Sequence, residues 1–332
     1  MATANSFDAA SAPGRAGRVQ RLRRLAQTAF FVLFVVTPVF DLFRFDLVAG
    51  HAWILGHPWR LGLDELIAGH TGGLSLVKAV MGRLFLPLLA GALVFIAIAW
   101  RWGRLYCGWL CPHFSVVETI NRVMSMASGR PSLWDRAPRP RRHPDGRLVR
   151  IDARWWFVTV PLAVGFAAAW AIVFLTYLMP PLDVYRDLYQ LSLSRNEWIF
   201  IGAATLALTA EFLFARHLFC RFGCAVGMFQ SLAWMSNRKA MVIGFSRARA
   251  GDCSRCFTAS GPGQPACEVV CPMRLKPRVP KAQMFTCTQC AQCNAACATV
   301  HRDDPEGALL NWVDGDAARR TEARVSLTGQ RD

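Results

Sequence analysis

Eight of the twelve cysteines lie between positions 253 and 297. Cys287, Cys290, Cys293 and Cys297 read C-x2-C-x2-C-x3-C, the run by which thiolates hold a [4Fe–4S] cube. Three cysteines at such steps face three corners of a cube from one tight turn, and the fourth reaches a neighbouring cube. The expected ligand sets are therefore Cys287, Cys290 and Cys293 with Cys271, and Cys253, Cys256 and Cys267 with Cys297. A protein with such sets would move single electrons. The first set departs from the pattern, with ten residues between Cys256 and Cys267. Thr258, Ser260, Gly261, Pro262, Gly263 and Pro265 make that insertion a loop that bulges away from the ligands. Pro272 follows Cys271, whereas Ala298 follows Cys297. Paired Cys-x2-Cys also builds zinc ribbons, which stands as the alternative. A third cysteine at a second such step favours iron.

The other four cysteines form an internal repeat. Arg104-Leu105-Tyr106-Cys107-Gly108-Trp109-Leu110-Cys111 and His217-Leu218-Phe219-Cys220-Arg221-Phe222-Gly223-Cys224 both read basic–Leu–aromatic–Cys–x–aromatic–x–Cys. Cysteines four apart on a helix share one face, so Cys107, Cys111, Cys220 and Cys224 are candidates for a third metal or redox site. Soft sulfur suits copper or a further iron–sulfur centre, and Met228, Met235, His113 and His217 lie near in sequence. The alternative is that these are small packing residues.

Elements that position these residues follow from hydropathy. The chain is 53% hydrophobic yet carries a net charge of +16, which fits apolar membrane spans flanked by arginine. Four spans are read over about 25–43, 82–100, 156–178 and 197–215, each near the length that crosses a bilayer. Arginines precede the first span, fill the loop between the second and third, and follow the fourth. The positive-inside rule puts both termini and the cysteine-rich segment in the cytoplasm, where disulfides are disfavoured. Arg23-Arg24 ahead of an apolar run has the look of an export signal, but no small-residue cleavage site follows. The basic charge is accounted for by topology and anionic lipid, so no nucleic-acid partner is expected; no phosphate-binding loop is present either.

The resulting fold class is mostly α: polytopic membrane helices, about four spans in two similar hairpins, followed by a small α+β bacterial-type ferredoxin domain with two [4Fe–4S] clusters. The expected divisions are a disordered basic stretch at 1–24, a membrane domain at 25–236, a cytoplasmic ferredoxin domain at 237–315 and a polar tail at 316–332. Residues 129–150, rich in proline and arginine, read as a linker. Weaker candidates are Arg274, Lys276, Arg278 and Lys281 as a docking patch for an acidic redox partner, and Glu211 within the last span, explained by snorkelling towards Arg216. Glu118 reads as an i, i+4 pair with Arg122. His51, His57 and His70 lie in an outer loop with the interfacial Trp53 and Trp59.

Hairpins ending in Tyr106-Cys107-Gly108-Trp109-Leu110-Cys111-Pro112 and Cys220-Arg221-Phe222-Gly223-Cys224, followed by a two-cluster segment, resemble the NapH/NosR/CcoG (FixG, RdxA) group of bacterial membrane ferredoxin-type 4Fe–4S proteins. Met228-Phe229-Gln230-Ser231 and Glu118 are similar to the CcoG branch. The resemblance covers about residues 25–313. It implies electron flow at the inner membrane, from a quinol or a cytoplasmic donor such as ferredoxin or flavodoxin towards a respiratory reductase or oxidase. CcoG-like relatives imply copper reduction for oxidase assembly, and a cluster-based redox sensor is a third reading. The chain departs from the group in having Ala225 after the second Cys pair, and ends without the further domains of full CcoG or NosR proteins.

Overall fold

A computed structural model describes residues 13–60, 73–135, 150–215, 217–254, 256 and 265–328. The chain opens with α1 (Pro13–Val36), so the basic stretch expected to be disordered is helical from Pro13 onward. Proline suits a first helical position because its missing N–H has no partner there anyway. The apolar part of α1 stops at Val36, and strands β1 (Phe43–Asp46), β2 (His51–Ile54) and β3 (His57–Trp59) follow as an antiparallel meander. The span read over 25–43 is therefore not a single helix. Pro38 cannot continue the ladder, and buried Arg44, paired with Asp41 and with Asp46 at 2.7 Å, fixes a polar turn and strand instead.

Among the described residues, three helices are long and apolar enough to cross a membrane: α2 (Gly73–Trp102), and, after the short α3 (Leu105–Trp109) and α4 (Pro112–Ser128), α5 (Ala153–Thr176) and, after α6 (Pro181–Gln190), α7 (Arg195–Ala215). They contain nearly all of the spans read over 82–100, 156–178 and 197–215. None of the most apolar stretch of α2 is buried within the protein, which is the surface a hydrocarbon solvent would cover. His70 and residues 136–149 of the expected linker lie outside the described residues. Just before that stretch, Leu133 donates to the Leu213 carbonyl at 3.0 Å.

Beyond α7 come α8 (Ala225–Ser236), β4 (Met241–Phe245), α9 (Ala266–Val269), α10 (Gln292–Val300), β5 (Leu310–Asp314) and α11 (Gly315–Thr328). β4 and β5 pair antiparallel, with Met241 opposite Asp314 and Phe245 opposite Leu310. α11 covers most of the expected polar tail; its first residue, Gly315, donates to the Ala240 carbonyl at 3.1 Å and so ties the helix to the start of β4. Residue 255 and residues 257–264, the latter most of the insertion between Cys256 and Cys267, lie outside the described residues.

Two compact units result: Met1–Ala29, Ile96–Val160 and Glu211–Asp332 form one, Phe30–Phe95 and Pro161–Ala210 the other. In the first, Trp234, Val242, Ile243, Met284, Leu309, Leu310 and Val313 share one buried core with Cys253, Cys267, Cys293 and Cys297. In the second, Ala171, Leu175, Val184, Leu193 and Ile201 form the core. All twelve cysteines belong to the first unit.

Candidate metal centres

Among the described residues no two of the twelve cysteines are joined as a disulfide, and they fall into three sets. Cys253 ends a 3-10 turn, Cys256 follows it, Cys267 sits on α9 and Cys297 on α10. Their sulfurs lie near enough that negative charge on one pushes its neighbours up: Cys256 is raised to about 12 by burial first and then by Cys297 and Cys253. Cys267 is raised by burial, Cys297 and Cys256, and Cys297 to about 11 by burial and, more weakly, Cys253. The second set is Cys271, Cys287, Cys290 and Cys293. Burial lifts Cys287 to about 12, with Cys290 and Cys271 adding to it. Cys293 is raised by burial and then by Cys290, Cys271, Cys287 and, across to the first set, Cys267. Four neighbouring thiols whose charges oppose one another become thiolates together only around a cation.

Backbone geometry supports the charged form. Gln289 and Ala291, between the cysteines of the second set, hold φ of 53° and 55°. Left-handed residues in such a loop turn successive N–H groups inward. Gln289 and Gln292 donate backbone N–H groups to Cys287 and Cys290. Leu275 donates to the Cys271 sulfur at 3.4 Å and Leu309 to that of Cys297 at 3.3 Å. Among the described residues no three His, Cys, Asp or Glu are drawn tight enough to hold one metal ion. A cube of four irons keeps its thiolates on separate corners, and so asks for wider spacing than a single ion with bonds of about 2.3 Å to sulfur. Sets of four thiols are the donor type that iron–sulfur clusters take.

The third set is Cys107, Cys111, Cys220 and Cys224. Burial raises Cys107, with Cys224 contributing; it lifts Cys111 to about 11, with Cys107 and Cys224 adding; it raises Cys220, with Cys111 and Cys107 adding. The two pairs are not one turn apart on a continuous helix as the spacing suggested. Cys107 lies on α3 and Cys111 is the N-cap of α4, while Cys220 lies in a π turn at Phe219–Gly223 and Cys224 is the N-cap of α8. Pro112 at the first position of α4 breaks the helix and makes Cys111 its cap. An N-cap sulfur faces free backbone N–H groups: His113 and Phe114 donate to Cys111.

This third set adjoins the second. Cys111 and Cys271 both pack against a buried cluster of Phe114, Cys220 and Met273. Trp109 Nε1 donates to the Gln289 carbonyl at 3.1 Å. Two features escaped the sequence reading. Buried Arg104 donates through Nη2 to the Cys220 carbonyl at 2.7 Å, with the Cys107 sulfur 3.9 Å away. Gln230 Nε2 lies 3.5 Å from that same sulfur. The only hint of Arg104 in the sequence is the basic residue that heads each repeat.

Several weaker candidates take other roles. Arg274 pairs with Asp135 at 2.6 Å, Arg278 with Glu268 at 3.0 Å, and Lys281 donates to the Trp234 and Asn237 carbonyls at 2.8 and 2.6 Å. Three of the four expected docking cations thus hold internal partners. Glu211 pairs with His113 at 3.1 Å. Glu118 makes the expected pair with Arg122 at 3.5 Å, but its main partner is Arg23, buried and bonded to both its oxygens. His51 and His57 lie in the meander, His51 beside Trp53 with ring centroids 5.3 Å apart.

A chain with membrane-length apolar helices and grouped thiols of this kind is a membrane iron–sulfur protein. The family described as "4Fe-4S binding domain" matches residues 84–131 and 197–241, the two hairpin ends that carry the third set. The regulatory protein NosR of Stutzerimonas stutzeri is 26% identical over 178 residues, covering 50% of this chain and 22% of that protein. The chain is thus similar to 4Fe–4S binding proteins at these two stretches and to NosR over 50% of its length. It spans about a fifth of the length of that curated relative. No solved structure matches it.

Proposed function

We propose that this chain is an inner-membrane electron-transfer protein in which three thiolate sets form one relay. Cys253, Cys256, Cys267 and Cys297 would hold one [4Fe–4S] cluster, and Cys271, Cys287, Cys290 and Cys293 a second. Cys107, Cys111, Cys220 and Cys224 would hold a third centre where α2 and α7 end. Clusters bound there supply one-electron acceptors. The residues do the rest: they bury the sulfurs, aim N–H donors at them, and bring the sets together. The observation that carries this reading is the adjacency of the sets, with Cys267 acting on Cys293 and Cys111 packing with Cys271 about Met273. Arginine-rich segments around the spans support a cytoplasmic placement of the first two sets. The donor would be a quinol or a cytoplasmic redox protein, and the acceptor a respiratory partner.

Copper at the third set is less well supported, because the stretches that match the 4Fe–4S family are those that carry it. A regulatory role, in which the clusters report redox state without turnover, draws support from the name of the NosR relative.

The test is iron and acid-labile sulfide per chain on protein purified anaerobically in mild detergent, with zinc and copper read together. About eight of each are expected from the first two sets, and about four more from the third. Cys107→Ser with Cys220→Ser should remove only the last four. Zinc in place of iron, without sulfide, overturns the relay.

A further inference from the structure

Arg104 is a charge in the wrong place for an ordinary surface residue. It lies in the first repeat, immediately before α3, and is 1% exposed. A guanidinium keeps its charge at any working pH, and burying one without an opposite charge is strongly unfavourable. Among the described residues no carboxylate pairs with it. Glu211, which also acts on the Cys220 sulfur, is held by His113 at 3.1 Å. What surrounds Arg104 instead are cysteines: its Nη2 donates to the Cys220 carbonyl oxygen at 2.7 Å, the Cys107 sulfur lies 3.9 Å away, and Cys287 of the second set is within electrostatic reach. Its Nε has no hydrogen-bond partner.

The fold makes room for this arrangement. Gly227, on the first turn of α8, lies flat against the guanidinium, and a Cβ there would collide with its Nη2. An arginine from the first repeat is thereby threaded into the second, against the cysteine pair of the other copy. The repeat is not symmetric in charge. The residue matching Arg104 in the second copy is His217, buried and stacked on Phe114 at 4.4 Å.

We propose that Arg104 is the fixed counter-charge of a thiolate-held redox centre on Cys107, Cys111, Cys220 and Cys224, and that it raises the reduction potential of that centre. The inference rests on the relay reading above. Reduction adds one electron from the neighbouring centre, and so one negative charge, while the guanidinium neither gains nor loses a proton. A fixed positive charge favours the more negative, reduced form. The effect should be largest at the third set and smaller at the second, whose Cys287 Arg104 reaches electrostatically and without a hydrogen bond.

The experiment is an anaerobic redox titration of the full chain in detergent, followed by visible absorbance and electron paramagnetic resonance. The variants are Arg104→Gln, Arg104→Lys and the half-buried control Arg101→Gln, whose guanidinium pairs with Asp314. In Arg104→Gln the ratio of reduced to oxidised third centre at a fixed potential should fall about tenfold, a shift of about 59 mV for one electron. Arg104→Lys should recover most of the shift, and Arg101→Gln should show none. An intact centre with an unchanged potential in Arg104→Gln overturns the inference and leaves the relay standing. If Arg104→Gln loses the centre, recovery of it in Arg104→Lys supports the charge. Loss in both, with the other two centres retained, makes Arg104 a packing residue and overturns the inference. A wild-type chain without a third centre overturns the relay and this inference with it.

Discussion

The α-carbon of Gly108 lies against the backbone carbonyl of Thr288, with no space for a side chain between them. Gly108 follows Cys107 of the third set, and Thr288 follows Cys287 of the second. The turn that carries one set is therefore pressed against the loop that carries the next.

Gly108→Ala should separate the two. The added methyl meets backbone rather than a flexible side chain, so one segment must move, and overpacking of this kind costs about 1–3 kcal/mol. Loss of iron from the second or third set, with α2, α5 and α7 still helical by circular dichroism, is the expected outcome. Full iron content and an unchanged unfolding midpoint would show that the contact is slack.

The buried pair of Arg23 and Glu118 joins α1 to α4. Arg23 reaches the two carboxylate oxygens at 3.0 and 2.6 Å, and Gln292, beside Cys293, adds a bond of 2.7 Å to the same carboxylate. Glu118→Gln leaves the guanidinium buried and uncompensated, a change that costs about 3–5 kcal/mol. Arg23→Met in the same chain should return much of that stability. A double-mutant cycle on thermal unfolding in detergent checks this; a single-variant loss under about 1 kcal/mol, as at a surface pair, would contradict it.

Much of this architecture is written locally. The Cys-x2-Cys steps, the repeat of Cys-x3-Cys and the apolar runs over 82–100, 156–178 and 197–215 depend on neighbours in sequence. What escaped is non-local. Arg23 and Glu118 are far apart in the chain, and neither residue type marks a buried pair by itself. Arg104 reads as one of many interfacial arginines until Gly227 is seen to receive it. Arg274, Arg278 and Lys281 read as a free basic patch because Asp135, Glu268 and two carbonyls are brought to them by folding. The last turn of the supposed first span failed for a local reason, since Pro38 and the Asp41–Arg44–Asp46 pairing outweigh a short apolar run.

Lys281 offers a test by pH. Burial first, then the nearby Arg319, pushes its ammonium down to about 8, against 10.5 for a free side chain. Below pH 8 the folded chain bears the full cost of that charge. Between about 8 and 10.5 the unfolded chain holds more protons than the folded one, so stability rises with pH over that window. Relative to Lys281→Met, the wild-type unfolding midpoint should climb as pH goes from 8 to 10. Parallel curves for the two proteins would remove this role.

Iron removal should act on one part of the molecule only. The core of the cysteine-rich segment is built from Cys253, Cys267, Cys293 and Cys297 together with Met284, Leu309, Leu310 and the short β4–β5 pair. A two-stranded sheet is marginal alone, and a core made in large part of ligands loses its cross-links when the metal leaves. The apolar helices α2, α5 and α7 depend on lipid or detergent instead. Oxidative stripping of iron with a chelator should therefore open the region from about Arg247 to Val313 to protease while the three helices remain intact. Mass spectrometry of the first cuts would locate them between β4 and β5. An identical digestion pattern before and after stripping would mean that the protein core, rather than bound metal, holds this segment folded.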